Sequence, residues 1–248
     1  MAVSLGKVYA DITDNLRGVA GISEGDIFGL AGVYGYVLCV VALSWLLRNR
    51  VRNARKLVHI LTGGIVFFWW SFDSATIMAG LAALPFVPLL LLATPRSPVA
   101  FLRNSPLGAR SCEGHPYGLV LYAVSWTIIA YFLFDDLVAA SIGIAAMSFG
   151  DGMGELVGRR YGKIKYMPCR TIEGSAAVFL ATFVSVLALC WFYFDVIGYA
   201  LGSSPQMLVL FALGVAGFVA FLEAVTPGAI DNLVIPLVVA GFMHTVGV

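Results

Sequence analysis

The chain has 248 residues, 60% of them hydrophobic and only 12% charged, with a formal net charge of +1 and a mean hydropathy of +0.92. A soluble domain carries about 25% charged residues. These values exclude a soluble globular domain, a disordered chain, a secreted disulfide scaffold and a soluble nucleic-acid binder, and leave an integral membrane protein.

The first 25 residues contain no apolar core of signal-peptide type. Leu5, Val8, Tyr9, Ile12, Leu16 and Val19 recur at helical spacing, with Lys7, Asp11, Asp14 and Arg17 between them. This pattern predicts a short amphipathic helix on the outer interface, residues 1–25. A single transmembrane domain, residues 26–248, follows.

Eight apolar segments succeed one another at 27–47, 57–72, 74–93, 117–134, 137–157, 172–194, 206–225 and 231–247. Lengths near 20 suit a helix crossing about 30 Å of hydrocarbon. The runs are continuous rather than alternating, which favours helices over a barrel. The expected fold is all-α, a polytopic membrane helix bundle of about eight transmembrane helices. The second segment is short and the fifth turns polar towards its end.

Thirteen of the fifteen Lys and Arg fall in three loops, 48–56, 94–116 and 158–171. With eight spans these are the first, third and fifth loops, all on one side, which the positive-inside rule makes cytoplasmic. The other side receives Asp73, Asp135, Asp136 and Asp195, and both termini are expected outside. Cys39 and Cys190 lie in spans and Cys112 and Cys169 in loops on the reducing side, so no disulfide is expected.

Six acids remain on the cytoplasmic half: Glu113, Asp151, Glu155, Glu173, Glu223 and Asp231. An acid at mid-membrane costs about 2.5–3.5 kcal/mol on insertion scales, less near the interface, so acids kept at helix ends have a partner or a task.

Four motifs carry them. In S-F-G-D-G-M-G-E-L-V-G-R-R-Y-G-K, residues 148–163, Asp151, Glu155 and Arg159 stand at i, i+4 and i+8, so one helical face presents two carboxylates and a guanidinium. Hard oxygen donors suit Mg²⁺ with bound phosphates. Gly150, Gly152 and Gly154 allow a ligand or another backbone to approach. Arg159, Arg160, Lys163 and Lys165 supply charge for polyphosphate. The plainer reading is small residues for helix packing followed by positive-inside cations.

In M-P-C-R-T-I-E-G-S, residues 167–175, Thr171 is a predicted N-cap and the helix start after it is a place for phosphate, with Arg170 and Glu173 alongside. Simple capping accounts for the same residues. In F-L-E-A-V-T-P-G-A-I-D-N-L-V-I-P, residues 221–236, Glu223, Asp231 and Asn232 meet at a turn made by Pro227 and Gly228. In R-K-L-V-H, residues 55–59, Arg55 and His59 are i, i+4 neighbours where the second span begins. No run has the Walker A spacing.

In this order the four motifs resemble the polyprenol kinase family: dolichol kinases, phytol kinases and related CTP-dependent lipid kinases. The resemblance spans about residues 50–240. Phytol kinases tend to have Ala-Asp where this chain has Gly154-Glu155, and many members have Lys at the position of Arg170. The run Thr171-Ile172-Glu173-Gly174 leans towards the dolichol kinase pattern.

The resemblance implies transfer of the γ-phosphate of CTP to the primary hydroxyl of an isoprenoid lipid alcohol, with Mg²⁺ as cofactor and membrane lipids as surroundings. Asp151, Glu155, Glu173 and Asp231 are then the candidate catalytic residues. Asp151, Glu155, Glu223 and Asp231 are the candidate metal ligands. Arg55, Lys56, His59, Gly150, Gly152, Arg159, Arg160, Lys163, Arg170, Thr171, Gly174 and Asn232 are the candidates for nucleotide and phosphate. Competing readings are a CTP-dependent cytidylyltransferase making a CDP-lipid, a CTP-dependent diacylglycerol kinase, a transporter built on broken helices, and a non-catalytic scaffold.

Overall fold

A computed structural model describes residues 21–47, 54–100, 117–167, 170–199, 204–226 and 228–247. The expected amphipathic helix up to residue 20, most of the first and third loops and the Arg55 side chain lie outside the described residues.

Among the described residues helical elements lie in each of the eight apolar segments. They are α1 (Glu24–Leu46), α2 (Ala54–Thr62, continued as a 3₁₀ helix over Gly63–Ser71), α3 (Ala75–Leu92), α4 (Gly118–Phe132), α5 (Leu137–Tyr161), α6 (Ile172–Val196), α7 (Pro205–Val225) and α8 (Asp231–Val246). By length and composition five of them, α1, α3, α5, α6 and α7, are able to cross a membrane, while α2, α4 and α8 are shorter apolar helices. The described strands are a two-stranded antiparallel hairpin, β1 (Lys165–Met167) and β2 (Arg170–Thr171), between α5 and α6.

Local sequence sets the helix starts. Ser23 and Asp26 form a capping box on α1, satisfying two backbone donors reciprocally. Asp136 caps α5, Thr171 caps α6 as its sequence position predicts, and Ser204 with Pro205 opens α7.

The centre of the bundle is α5. Its apolar stretch is almost wholly buried in the protein, whereas the other four long helices expose most of theirs. Its first turns are rich in Ala, Ser and Gly, which let neighbouring backbones come close in place of bulky interdigitation. A Cβ on Gly143 would meet the Pro236 carbonyl oxygen and the Ala240 methyl on α8, each at 2.6 Å. Around α5 stand α2, α6 and α8, with α7 packed on α6 and α4 on α8. Inside this ring Trp69, Trp126, Ile142, Met147 and Leu189 are fully buried.

Two departures from regular helix shape the end of the bundle that carries the acid-rich motifs. Helix α2 tightens to 3₁₀ at Gly63, and the Tyr36 hydroxyl donates to the Leu61 carbonyl at 2.6 Å beside the change. Helix α5 widens to a π turn over Ala146–Asp151 before resuming as α-helix at Gly152. Such π segments occur often at functional sites, and this one ends on Asp151.

Candidate active site

The second half of α5 has two working faces. Gly150, Gly154 and Gly158 recur every four residues and face α6. A Cβ on Gly150 would meet the Thr182 hydroxyl at 2.5 Å, one on Gly154 would strike the Val178 side chain, and one on Gly174 would come within 3.3 Å of the Gly158 Cα. Gly152 backs onto Ile60 of α2. Gly150, Gly152 and Gly174, which are candidates for phosphate contact, thus also admit neighbouring helices.

Turned by one residue, Asp151, Glu155 and Arg159 form the face predicted from their spacing. Lys56 projects onto it from the first turns of α2. Its ammonium lies 2.6 Å from Asp151 Oδ2 and 2.8 Å from Glu155 Oε2. Arg159 closes the row by donating to Glu155 Oε1 at 2.8 Å. Lys56 is 5% exposed and Asp151 3%, so the pair is held out of water, where a lone charge costs several kcal/mol. His59, one turn along α2, places Nε2 3.9 Å from Asp151 Oδ2, beyond hydrogen-bond range, and its ring packs against Tyr122 of α4.

A second group of charges closes against the first. Arg170, leaving β2, donates through Nη1 to Glu223 of α7 and through Nη2 to the Thr226 carbonyl at 3.0 Å. Asp231 of α8 lies 4.0 Å from the same guanidinium. The forked guanidinium thus spans the α7–α8 corner as a lysine could not. The Asp231 Oδ1 atom accepts from the Asn232 backbone N–H at 2.7 Å and from its side-chain amide at 2.9 Å. Asp231 is the first residue of α8 rather than its cap, and its Oδ2 faces the Arg170 guanidinium. Asp151 interacts electrostatically with both Glu223 and Asp231, and Lys56 with both as well. The two groups are therefore one charge cluster at one end of the bundle, built from α2, α5, β2, α7 and α8.

Three predicted residues stand elsewhere. The Glu173 carboxylate accepts from the backbone N–H groups of Lys163 and Ile164, at 3.0 and 3.3 Å, on the exposed side of the hairpin. It fastens the loop to α6 rather than joining the buried acids. The Thr171 hydroxyl is occupied by the Gly174 N–H at 3.1 Å, and Arg160 lies over the Tyr161 ring. Sequence reasoning missed the Thr226 carbonyl, Tyr122 and Ser148. Ser148 adjoins the glycine-acid run, but nothing in the α4 sequence singles out Tyr122.

Among the described residues no three His, Cys, Asp or Glu side chains are gathered as a metal cage. Mg²⁺ does not require one, since it is commonly held by one or two carboxylates plus substrate phosphates. The Glu223 Oε2 atom is buried without a hydrogen-bond partner, a costly state for a carboxylate oxygen and one that a cation would relieve. The donor set fits Mg²⁺ in that sense.

No family model and no solved structure matches the sequence. Relatives do. A phytol kinase of Synechocystis is 30% identical over 221 residues, 84% of this chain and 86% of that protein. The chloroplastic phytol kinase 1 of Arabidopsis thaliana is 31% identical over 66% of this chain and 56% of its own length. The chloroplastic farnesol kinase of the same plant is 28% identical over 76% and 64%.

The fold and site define a predominantly helical membrane protein with a buried cluster of paired acids and cations at one end of its bundle. The chain belongs to the polyprenol kinase family.

Proposed function

We propose that this chain is a membrane kinase that transfers the γ-phosphate of CTP to the primary hydroxyl of a prenyl alcohol such as phytol, farnesol, geranylgeraniol or dolichol, giving the prenyl monophosphate and CDP. The observation that carries this reading is the convergence of Lys56, Asp151, Glu155, Arg170, Glu223 and Asp231 on one end of the bundle. A lipid alcohol and a polyanionic nucleotide meet only at such an edge, and phosphoryl transfer rests on positioning and charge neutralisation.

In the reaction the alcohol oxygen forms a bond to the γ-phosphorus, and the bond from that phosphorus to the β–γ bridging oxygen breaks. A carboxylate of the Asp151–Glu155 pair takes the alcohol proton. Lys56, Arg159 and Arg170 turn from their carboxylates towards the phosphates, with His59, Asn232 and the loop cations Arg55, Arg160 and Lys163 around them. Asp151, Glu155, Glu223 and Asp231 supply the oxygens for Mg²⁺, which when bound neutralises phosphate charge. Glu173 holds the hairpin beside the site. The asymmetry of Lys and Arg along the sequence supports a cytoplasmic site, eight crossings and outward termini.

The test incubates purified protein with γ-labelled CTP or ATP, Mg²⁺ and a panel of phytol, farnesol, geranylgeraniol, dolichol and diacylglycerol. Label in a prenyl monophosphate with release of CDP, abolished by EDTA and restored by Mg²⁺, supports the reading. Label appearing in pyrophosphate with a CDP-lipid product would replace it with cytidylyl transfer, and label in phosphatidate would replace it with diacylglycerol phosphorylation.

A further inference from the structure

Behind the charge cluster lies a polar pair that the proposed chemistry does not use. Tyr122 of α4 and Ser148 in the π turn of α5 share a hydrogen bond of 3.0 Å. Tyr122 is 3% exposed and Ser148 fully buried. Packing alone does not ask for either group. A Phe would fill the space of Tyr122, and Ala would suit position 148 in a stretch that otherwise reads Ala145-Ala146-Met147. A buried phenol needs a partner, and a single interhelical hydrogen bond in a membrane adds little to stability, so stability is a weak reason to keep two hydroxyls here.

The far side of Tyr122 supplies a better one. Its ring lies 5.1 Å, centroid to centroid, from the His59 imidazole, tilted at 48°. Among the groups facing that imidazole are Asp151, at 3.9 Å from Nε2, and Lys56 beyond it on the same carboxylate. Ser148 precedes Asp151 by three residues within the same π turn. At this level α2 and α5 are in close contact, since a Cβ on Gly63 would come within 2.8 Å of the Ser148 hydroxyl. One hydrogen bond therefore ties the ring that packs on His59 to the turn that carries Asp151.

We infer that Tyr122 and Ser148 are a positioning pair, which fixes the His59 imidazole in orientation and distance against the Asp151 carboxylate. Neither residue touches the reacting groups. The inference rests on the kinase reading for its effect on rate but not for its effect on the ring.

The test has two arms. The first labels the imidazole carbons of the detergent-solubilised protein, which has three histidines, and assigns His59 by loss of its signal in His59→Gln. A single, ring-current-shifted His59 signal in the native chain should broaden or split in Tyr122→Leu, and to a lesser degree in Tyr122→Phe and Ser148→Ala. An unchanged signal in all three variants overturns the inference, whatever the enzyme does. The second arm measures turnover. Tyr122→Leu should lower kcat roughly tenfold, as a misplacement within a catalytic array does, with the nucleotide KM unchanged. The same substitution made on top of His59→Gln should cost little more. A loss of equal size in both backgrounds, or one confined to KM, overturns the positioning role. Should Tyr122→Leu not fold, Tyr122→Phe and Ser148→Ala decide both arms, and full kcat with a native signal in both refutes it. A chain with no kinase activity on any alcohol refutes the proposed function, while the spectroscopic arm still decides whether the pair holds His59.

Discussion

Lys56 and Asp151 stand 95 positions apart in the chain, yet the ammonium of one lies 2.6 Å from the carboxylate of the other in the buried end of the bundle. Each is expensive without its partner. Lys56 keeps a second carboxylate, Glu155, whereas among the described residues Asp151 has no second cation so near. Removal of the two is therefore asymmetric. Lys56→Met should destabilise the protein by about 3–5 kcal/mol, the usual consequence of stranding a buried charge. Asp151→Ala should stay folded and lose turnover by roughly 10³-fold, the scale of removing a central electrostatic or proton-transfer group. Thermal unfolding in detergent and the labelled-CTP assay check both. Near-normal activity in Asp151→Ala would remove Asp151 from the site.

The Arg170 clamp is a matter of shape as well as charge. Its two terminal nitrogens serve different acceptors, Glu223 and the Thr226 carbonyl. Arg170→Lys keeps the charge but reaches one acceptor at a time, so it should lower kcat/KM about tenfold or more. Arg170→Met strands Glu223 and should also lower the unfolding temperature. Adding Glu223→Gln to Arg170→Met should recover part of the stability and none of the activity. Recovery of both would make the clamp purely structural.

Glycines that look alike in the sequence are expected to behave oppositely. Gly154→Ala would drive its methyl into fully buried Val178, at a cost of about 1–3 kcal/mol for an overpacked contact. Gly214→Ala on α7 has nothing within 4 Å of the added carbon and should be neutral, or stabilising by up to about 1 kcal/mol, because Ala is the better helix former. Unfolding midpoints of the two variants make the comparison. Equal effects would refute the close crossing of α5 on α6.

Glu173 tests the division between chemistry and loop anchoring. Its carboxylate accepts two backbone N–H groups of the loop before the hairpin, and Gln keeps one acceptor oxygen in the same place. Glu173→Gln is thus expected to retain activity within roughly threefold, whereas Glu173→Ala should raise KM for the nucleotide by loosening the loop that carries Lys163. A Gln variant as inactive as Asp151→Ala would return Glu173 to the catalytic set.

The sequence by itself determined the class of protein and the pattern of the site. Sixty per cent hydrophobic residues in eight continuous runs leave no fold but a helical membrane bundle, because backbone polar groups in hydrocarbon must bond within their own segment. The spacing of Asp151, Glu155 and Arg159 by four placed them on one face, since a helix repeats every 3.6 residues. The Thr171 cap was legible for the same local reason. Tertiary structure alone decided the rest. Which side of α5 meets α6 follows from three-dimensional fit, so glycines that are candidates for phosphate contact also admit neighbouring helices, and Glu173 is drawn to the backbone of the two residues nine and ten before it, just ahead of the hairpin. That Lys56 serves Asp151, that Arg170 spans Glu223 and Thr226, and that Tyr122 reaches His59 depend on helices far apart in sequence meeting at one depth. Periodicity within a segment carries no information about its neighbours, and long-range pairing is where sequence reasoning ends.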